Sequence, residues 1–336
     1  MNFRMPGEFE PHAATWMAWP SRPEIWGDHF PQVKSDYALL AQTIARFEPL
    51  QMVARPVDAE EARRLCGSRV AVVEYPIDDS WARDSGPVFL TNDRGLLAAS
   101  AWRFTAWGEK YFPHDQDALL AKRIASQLGI AVVTSDLVLE GGAILADGEG
   151  TLITTESCLL NTNRNPGLNK AEIEAELIRV LGVRKVIWLP GDPLDTETDG
   201  HIDGLMALSA PGRALFEDND DRTDPRFEIL RENRRALELS TDARGRSFEI
   251  ASIEEVDRAL SVGERYCRSY VNFYIVNGAV IAPSYAAPSD ARVEAVLRKA
   301  FPDRTIVMLP IGAIAMGGGG FHCVTQQQPA CGGREH

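Results

Sequence analysis

The sequence predicts an α/β fold: a five-bladed α/β propeller of strand–strand–helix–strand modules around a central pocket, closed by the N- and C-terminal strands. Three observations predict it. Amphipathic helices recur along the chain, a β-rich run follows each of them closely, and pairs of short strands joined by a turn fill the intervals.

Apolar residues at three- and four-residue spacing predict helices over 33–48, 115–129, 169–182, 226–240 and 289–301. Asn169 with Glu172 three places on reads as a capping box and Ser289 as an N-cap, while Gly129 and Gly182 stand where helices end in a left-handed residue. The runs "LQMVA", "IAVVT", "VRKVIWLP", "SFEIAS" and "RTIVMLP" come next as strands. The paired strands are read in "PVFLTNDRGLLAAS", "GAILADGEGTLITT" and "YVNFYIVNGAVIAPS", the last carrying the hairpin pair Asn277–Gly278.

Four modules then run continuously, over about 80–135, 136–190, 195–252 and 265–310. The fifth is assembled from the two chain ends, residues 315–330 completed by 10–55, with 57–75 left as an extra helix and strand. No Ser/Gly/Pro linker divides the 336 residues, so one catalytic domain over 1–336 is expected.

Composition narrows the function classes. A 45% hydrophobic share is enough for a sizeable core. The net charge of −13, with no basic run, argues against a nucleic-acid or anionic-membrane partner and favours a cationic ligand. No apolar run approaches the roughly 20 residues that span a bilayer, and "MNFRMPGEFEPHAATW" lacks the apolar stretch of a secretory signal. Five scattered cysteines, an odd number, suit a reduced cytoplasmic chain with free thiols. Without CxxC or HExxH spacing, no metal is expected.

The modular reading has a chemical consequence. At or just before the first strand of each module stand "SWARDSG", "LEGGA", "GHIDG", "SYVNF" and "GGFHC". In a ring these positions face the axis, so Asp84, Glu140, His201 with Asp203, Asn272 and Cys323 are expected to converge on one pocket. The glycines of "MGGGGFHC" are expected to let the backbone approach a ligand and the thiol swing onto it.

A thiol attacks as thiolate and needs a histidine or a cationic substrate to lower its pKa. His201 can carry protons, and Asp203 can fix its tautomer or bind substrate. Several carboxylates in one small volume repel unless a cation lies between them. A guanidinium is planar, forked and permanently charged, and so matches them. Thiolate attack on its carbon, loss of ammonia and hydrolysis of the resulting thiouronium is the chemistry of a guanidine deiminase.

Blander readings exist for single segments. "DDSWARDSG" also reads as a turn with a surface ion pair between Arg83 and Asp79, "LEGGA" as a bulge before a strand, and "YVNFYIVNG" as a plain hairpin. A metal set of His201, Asp203, His322 and Cys323 matches known ligand spacings poorly. The glycine run lacks the Lys-Ser/Thr of a phosphate-binding loop.

The chain resembles the agmatine deiminases, within the guanidine-modifying group of five-bladed α/β propellers. The resemblance rests on "RMPGEFEPHAATWMAWPSRPEIWG", "DDSWARDSGP", "YFPHDQD", "LEGG", "DGEGTLITTESCLLNTNRNP", "DTETDGHIDG", "SYVNFYI" and "GGGGFHCVTQQQP", and so runs nearly end to end. It implies hydrolysis of agmatine to N-carbamoylputrescine and ammonia with no cofactor. By motif it makes Cys323 the nucleophile, His201 the acid/base, Asp84 and Asp203 the guanidinium holders, and Glu140 a support for His201 or the substrate. Trp81 is expected along the aliphatic chain and Glu197 at the distal amine, with Asn272 and Gly320 as further substrate contacts. Gly320, Phe321, Ala143, Leu145 and His114 depart from the usual pattern. The expected partner is a small cationic guanidine, and a homo-oligomer is left open. The alternatives are a deiminase of arginine or peptidyl-arginine, for which Arg103 and Arg164 are the candidate carboxylate holders, a deiminase of another guanidine, and a non-catalytic polyamine or guanidine binder.

Overall fold

A computed structural model describes residues 2–261, 263 and 265–331, which contain five small mixed sheets. Each of four modules is built the same way: two antiparallel strands, a helix, and a third strand parallel to the second. The first contains β4 (Val88–Thr91), β5 (Leu97–Arg103) and β6 (Ala131–Val138). The second contains β7 (Ile144–Ala146), β8 (Thr151–Thr155) and β9 (Lys185–Leu189). The third contains β10 (Met206–Ala210), β11 (Arg213–Asp218) and β12 (Glu249–Glu254). The fourth contains β13 (Tyr274–Val276), β14 (Ala279–Ser284) and β15 (Thr305–Pro310).

The fifth sheet joins the chain ends. β16 (Thr325–Pro329) pairs antiparallel with β1 (His12–Ala18), which pairs parallel with β2 (Leu50–Ala54). The extra segment adds a helix and β3 (Val70–Glu74), a fourth strand parallel to β2. The polar "TQQQP" makes a largely buried strand in which two of the three side-chain amides are paired, while Gln326 Oε1 has no partner among the described residues. Gln328 accepts from the Trp16 indole at 2.9 Å, and Gln327 accepts from Arg83 at 2.8 Å.

Six longer helices accompany the sheets: α1 (Phe30–Ile44), α2 (Ala59–Cys66), α3 (Leu120–Leu128), α4 (Lys170–Leu181), α5 (Arg226–Glu238) and α6 (Asp290–Ala300). Five match the periodic segments, with ends shifted by a few residues. α4 illustrates the local causes. Asn169 Oδ1 accepts from the Glu172 amide at 3.1 Å, Glu172 accepts from the Asn169 amide at 2.8 Å, and Gly182 ends the helix at φ 64°. Its inner stripe buries Ile173, Leu177, Val180 and Leu181. Truncating the fully buried Leu177 to alanine would cost about 2–5 kcal/mol.

One expected cap is absent. Ser289 makes no capping hydrogen bond; its hydroxyl pairs with the Tyr270 hydroxyl at 2.7 Å. The expected strand 270–276 is also shortened to Tyr274–Val276, because Tyr270 and Asn272 are held by side-chain bonds instead of a ladder.

The apolar core is distributed between neighbouring sheets, and this closes the ring. Leu90 and Ala98 pack with Ile144 and Leu152, joining sheets one and two. Ile153 and Leu189 pack with Met206 and Phe216, Leu215 and Ile253 with Ile275 and Val280, and Tyr274 and Ile281 with Met17 and Met52. Trp16 and Val53 then pack with Phe89 and Leu120 of the first module. The result is a five-bladed α/β propeller. Among the described residues no helix is long and apolar enough to cross a membrane.

Candidate active site

Each module contributes a turn just ahead of its first strand, and the six residues expected to converge do so. Asp84 lies in the turn Ala82–Ser85, Glu140 precedes the turn Gly141–Ala143, and His201 and Asp203 belong to the turn that ends at Gly204. Asn272 precedes β13, and Cys323 precedes β16. All six are buried.

His201 sits at the centre. Its Nε2 lies 3.4 Å from Glu140, and its Nδ1 lies 3.9 Å from Asp84 and 4.0 Å from Asp203 without a hydrogen-bond partner. The Cys323 thiol is 3.6 Å from Asp203 Oδ2 and 3.4 Å from Asn272 Oδ1. Asn272 Oδ1 also accepts from the His322 amide at 3.1 Å, so it holds the turn that carries the thiol. Asp84 accepts from the Gly142 amide and from the Trp107 indole, each at 2.9 Å.

Two glycine contacts explain the local sequence. A Cβ on Gly142 would lie 2.6 Å from His201 Nδ1, 2.9 Å from Asp84 and 3.0 Å from Asp203, inside the space those three groups enclose. In the C-terminal glycine run, where Gly317, Gly318 and Gly319 line the cleft described below, a second reason joins the expected approach to a ligand. A Cβ on Gly319 would lie 2.4 Å from Trp81, and one on Gly320 would lie 2.5 Å from Asn272. The backbone there is thin because the protein's own side chains pack against it. Gly320 is thus placed behind Asn272, away from the cleft described below.

Charge is distributed unevenly. Burial raises the Glu140 carboxyl, but Arg164 and His201 outweigh it and hold the group below its ordinary value. Burial also raises Asp84; His201 opposes this, Asp203 and Glu140 reinforce it, and the net direction is upward. Asp203 ends low because His322 at 2.8 Å overcomes its burial. His201 is lowered by burial, yet Asp84, Cys158 and Glu140 raise it well above its usual value. The Cys323 thiol is pushed far up by burial and by Asp203 and Asp84. Burial and the carboxylates thus favour the protonated thiol and the charged imidazole, and among the three acids Asp84 is the one pushed towards protonation.

A cleft enclosing about 350 Å³ of empty space leads out from Cys323 and Asp84. Ile25, Trp81, Trp107 and Tyr111 form its apolar wall, and Glu197 stands in it too. Glu197 accepts from the Tyr111 hydroxyl at 2.5 Å and meets Arg265, which is 44% exposed, at 3.2 Å. Among the described residues lining this cleft there is no lysine or arginine.

Several expectations are corrected. Arg83 does not pair with Asp79 at the surface; it is buried against Glu8 at 3.0 Å, and Asp79 pairs with Arg22 at 3.2 Å. Arg164 is not free for a substrate carboxylate, because its Nε lies 2.9 and 3.1 Å from the two Glu140 oxygens. Arg103 is exposed at the end of β5 and lines no cleft with Cys323. His322 spends both ring nitrogens on Glu8 and Asp203, each at 2.8 Å, which leaves none for a metal. Of the departing residues, Phe321, Ala143 and Leu145 are buried in apolar clusters, and His114 packs on Phe104 and Phe112.

Sequence reasoning missed Glu8, Cys158 and Trp107. Glu8 ties the N-terminal segment to both His322 and Arg83. Cys158 is buried within 4.8 Å of the His201 and Glu140 ligand atoms. Trp107 sits at φ 58° between Ala106 at 49° and Glu109 at 62°, a strained loop that aims its indole at Asp84. "GEFEPH" and "FTAWG" were visible, but no local periodicity marks such residues.

The sequence model of the Porphyromonas-type peptidyl-arginine deiminase family matches residues 4–329. The agmatine deiminase of Pseudomonas aeruginosa (strain LESB58) is 44% identical over 354 residues, covering 98% of this chain and 96% of the relative. That of Pseudomonas fluorescens (strain SBW25) is 41% identical over 353 residues, with 98% and 96% covered. A solved structure described as the agmatine deiminase of Enterococcus faecalis catalysing its reaction superposes with a TM-score of 0.94 at 35% identity, covering 98% of this chain and 97% of the other. The chain belongs to this deiminase family.

Proposed function

We propose that this family member hydrolyses agmatine to N-carbamoylputrescine and ammonia, acting as one catalytic domain in the cytoplasm. The observation that carries the reading is the convergence of the Cys323 thiol and the unpartnered His201 Nδ1 on the space between Asp84 and Asp203. The curated relatives named agmatine deiminase support the substrate.

The guanidinium of agmatine lies between Asp84 and Asp203, and its methylene chain runs along Trp81. Its ammonium ends at Glu197. The aromatic wall suits the methylene chain, and Glu197 suits the ammonium, which takes the place of the half-exposed Arg265 beside it. The bound cation offsets the carboxylate charges that keep the thiol protonated, and the thiol proton passes to solvent water.

Cys323 Sγ attacks the guanidinium carbon. His201, anchored through Nε2 by Glu140, donates its Nδ1 proton to the departing nitrogen, the C–N bond breaks, and ammonia leaves a thiouronium on the cysteine. Neutral His201 then takes a proton from water, the hydroxyl adds to the same carbon, and the C–S bond breaks to return the thiolate. The hydroxyl proton is lost to solvent as the ureido C=O forms, the released ammonia takes up a proton in solution to become ammonium, and the thiolate regains its proton from water as the product leaves. Asn272 and Gly320 act through the turn that carries the thiol.

The test is ammonia and ureido product measured with agmatine and with arginine, alongside Cys323→Ser. Product from agmatine is expected, with a loss on the order of 10³-fold or more in the variant. Product from arginine alone would overturn the substrate. Agmatine binding without ammonia release would favour the non-catalytic reading.

A further inference from the structure

A second opening reaches the same cysteine. A groove of about 950 Å³ of empty space runs from Cys323, His201 and Asp203 past Gly204, Ser269 and Arg226 to the surface near Leu194. It shares Glu197, Thr198, Gly318, Gly319 and Cys323 with the aromatic cleft and none of that cleft's tryptophans. The two spaces are therefore separated by the meeting of the 197–198 and 318–319 segments.

The groove's wall has a different chemistry. Its charges are spent on one another: Arg226 pairs with Asp192 at 2.8 Å and with Glu255, and Arg268 lies 3.0 Å from Glu255. Of the carboxylates there, Asp195 accepts from the Glu197, Thr198 and Gly200 amides and Asp203 from His322. The aromatic ring in this wall, Tyr266, packs against Tyr285 at a steep angle, and among the described residues the groove has no counterpart to the Trp81–Trp107 pair of the cleft. Ser269 Oγ is buried in this wall beside the Glu217 carboxylate, with no hydrogen bond of normal geometry among the described residues. The wall thus offers polar groups to small molecules and less to a methylene chain than the tryptophan-lined cleft does.

We propose that this groove is the passage by which ammonia leaves and water reaches the thiouronium while the alkyl tail still fills the aromatic cleft. The inference rests on the reading of the site as a guanidine deiminase. Its need is chemical. Between the two half-reactions the carbon on Cys323 must exchange one small molecule for another, and the covalently held tail blocks the way it entered.

Gly204 offers a clean obstruction. Its backbone is not left-handed, and a Cβ there meets nothing within 4 Å, so a side chain would project into open space. The experiment is rapid acid quench of enzyme mixed with agmatine, reading the adduct on Cys323 by intact mass together with ammonia and ureido product. It compares wild type, Gly204→Leu and Ser269→Ala. In Gly204→Leu the adduct is expected to form at the wild-type rate and to break down about tenfold or more slower, so that it accumulates. Ser269→Ala adds no bulk and keeps the test open if the leucine variant does not fold. It is expected to slow breakdown about two- to fivefold without raising the KM for agmatine.

Adduct hydrolysed at the wild-type rate in every folded variant would overturn the passage alone, as would slowed formation without accumulation. Neither ammonia nor ureido product from the wild-type enzyme would overturn the deiminase reading and this inference with it.

Discussion

The second module and the closing module build the same kind of sheet and hold their functional residues in opposite ways. Glu140 stands ahead of β7 and is fixed by Arg164, 24 residues further on in the same module. Cys323 stands ahead of β16, and its surroundings are fixed by groups from far along the chain. Glu8 reaches His322 across 314 residues of sequence, and Arg83 reaches the His322 carbonyl across 239. One module can assemble its support as it folds; the other cannot exist until the ring closes. The nucleophile is therefore coupled to closure, whereas the histidine's anchor is not.

The sharpest way to break this contrast is Arg164→Met. It leaves Glu140 buried without its main counter-charge, and we expect a stability loss of about 3–5 kcal/mol by urea unfolding. A loss below about 1 kcal/mol would mean that Glu140 is held by the ring and not by its own module.

Glu8→Gln tests the closing side. The Glu8 carboxyl is pulled down to about 2: burial opposes this, but His322 and Arg83 prevail. A depressed acid stabilises the fold above its unfolded pKa and loses that contribution as pH falls. The window therefore runs from about 4.5 down to about 2. Wild-type stability should decline through that window by about 3 kcal/mol, and the variant should lack this part of the decline. An unchanged acid limb in the variant would separate Glu8 from closure.

Asp84, at the start of the first module, reports on the substrate rather than on folding. Its raised pKa predicts that kcat/KM for agmatine falls towards acid before the ordinary carboxylate range is reached, by about tenfold per pH unit on the limb. A limb at or below the usual aspartate value would remove Asp84 as the group that must be ionised. The smallest effect is expected from Asn169→Ala, which takes away the capping box of the second module. Stability should fall by about 1 kcal/mol and kcat should not move. A comparable loss of activity would show that even this module's outer helix is coupled to the site.

Much of this molecule was legible in advance, for a definable reason. Helix periodicity, the Asn169–Glu172 cap and the strand that follows each helix are written within a few residues of one another. The repeat they form placed Asp84, Glu140, His201, Asp203, Asn272 and Cys323 at equivalent positions. What the sequence misled on was pairing. The alternatives open for Arg83, a surface pair with Asp79, and for Arg164, a holder of a substrate carboxylate, both fall because their true partners, Glu8 and Glu140, lie 75 and 24 residues away. Ser289 failed as a cap for the same reason, since Tyr270 competes for its hydroxyl only once the fourth module is packed.

Local propensity and a repeating pattern set the module, its number of copies and the residue types carried at the head of each first strand. Which charges neutralise which, that Glu8 and Trp107 belong to the site, and that two openings reach one thiol were settled by the packed ring. Those depend on distances between segments separated by up to 314 residues, and they are fixed by ring closure and burial rather than by anything a short stretch of chain can encode.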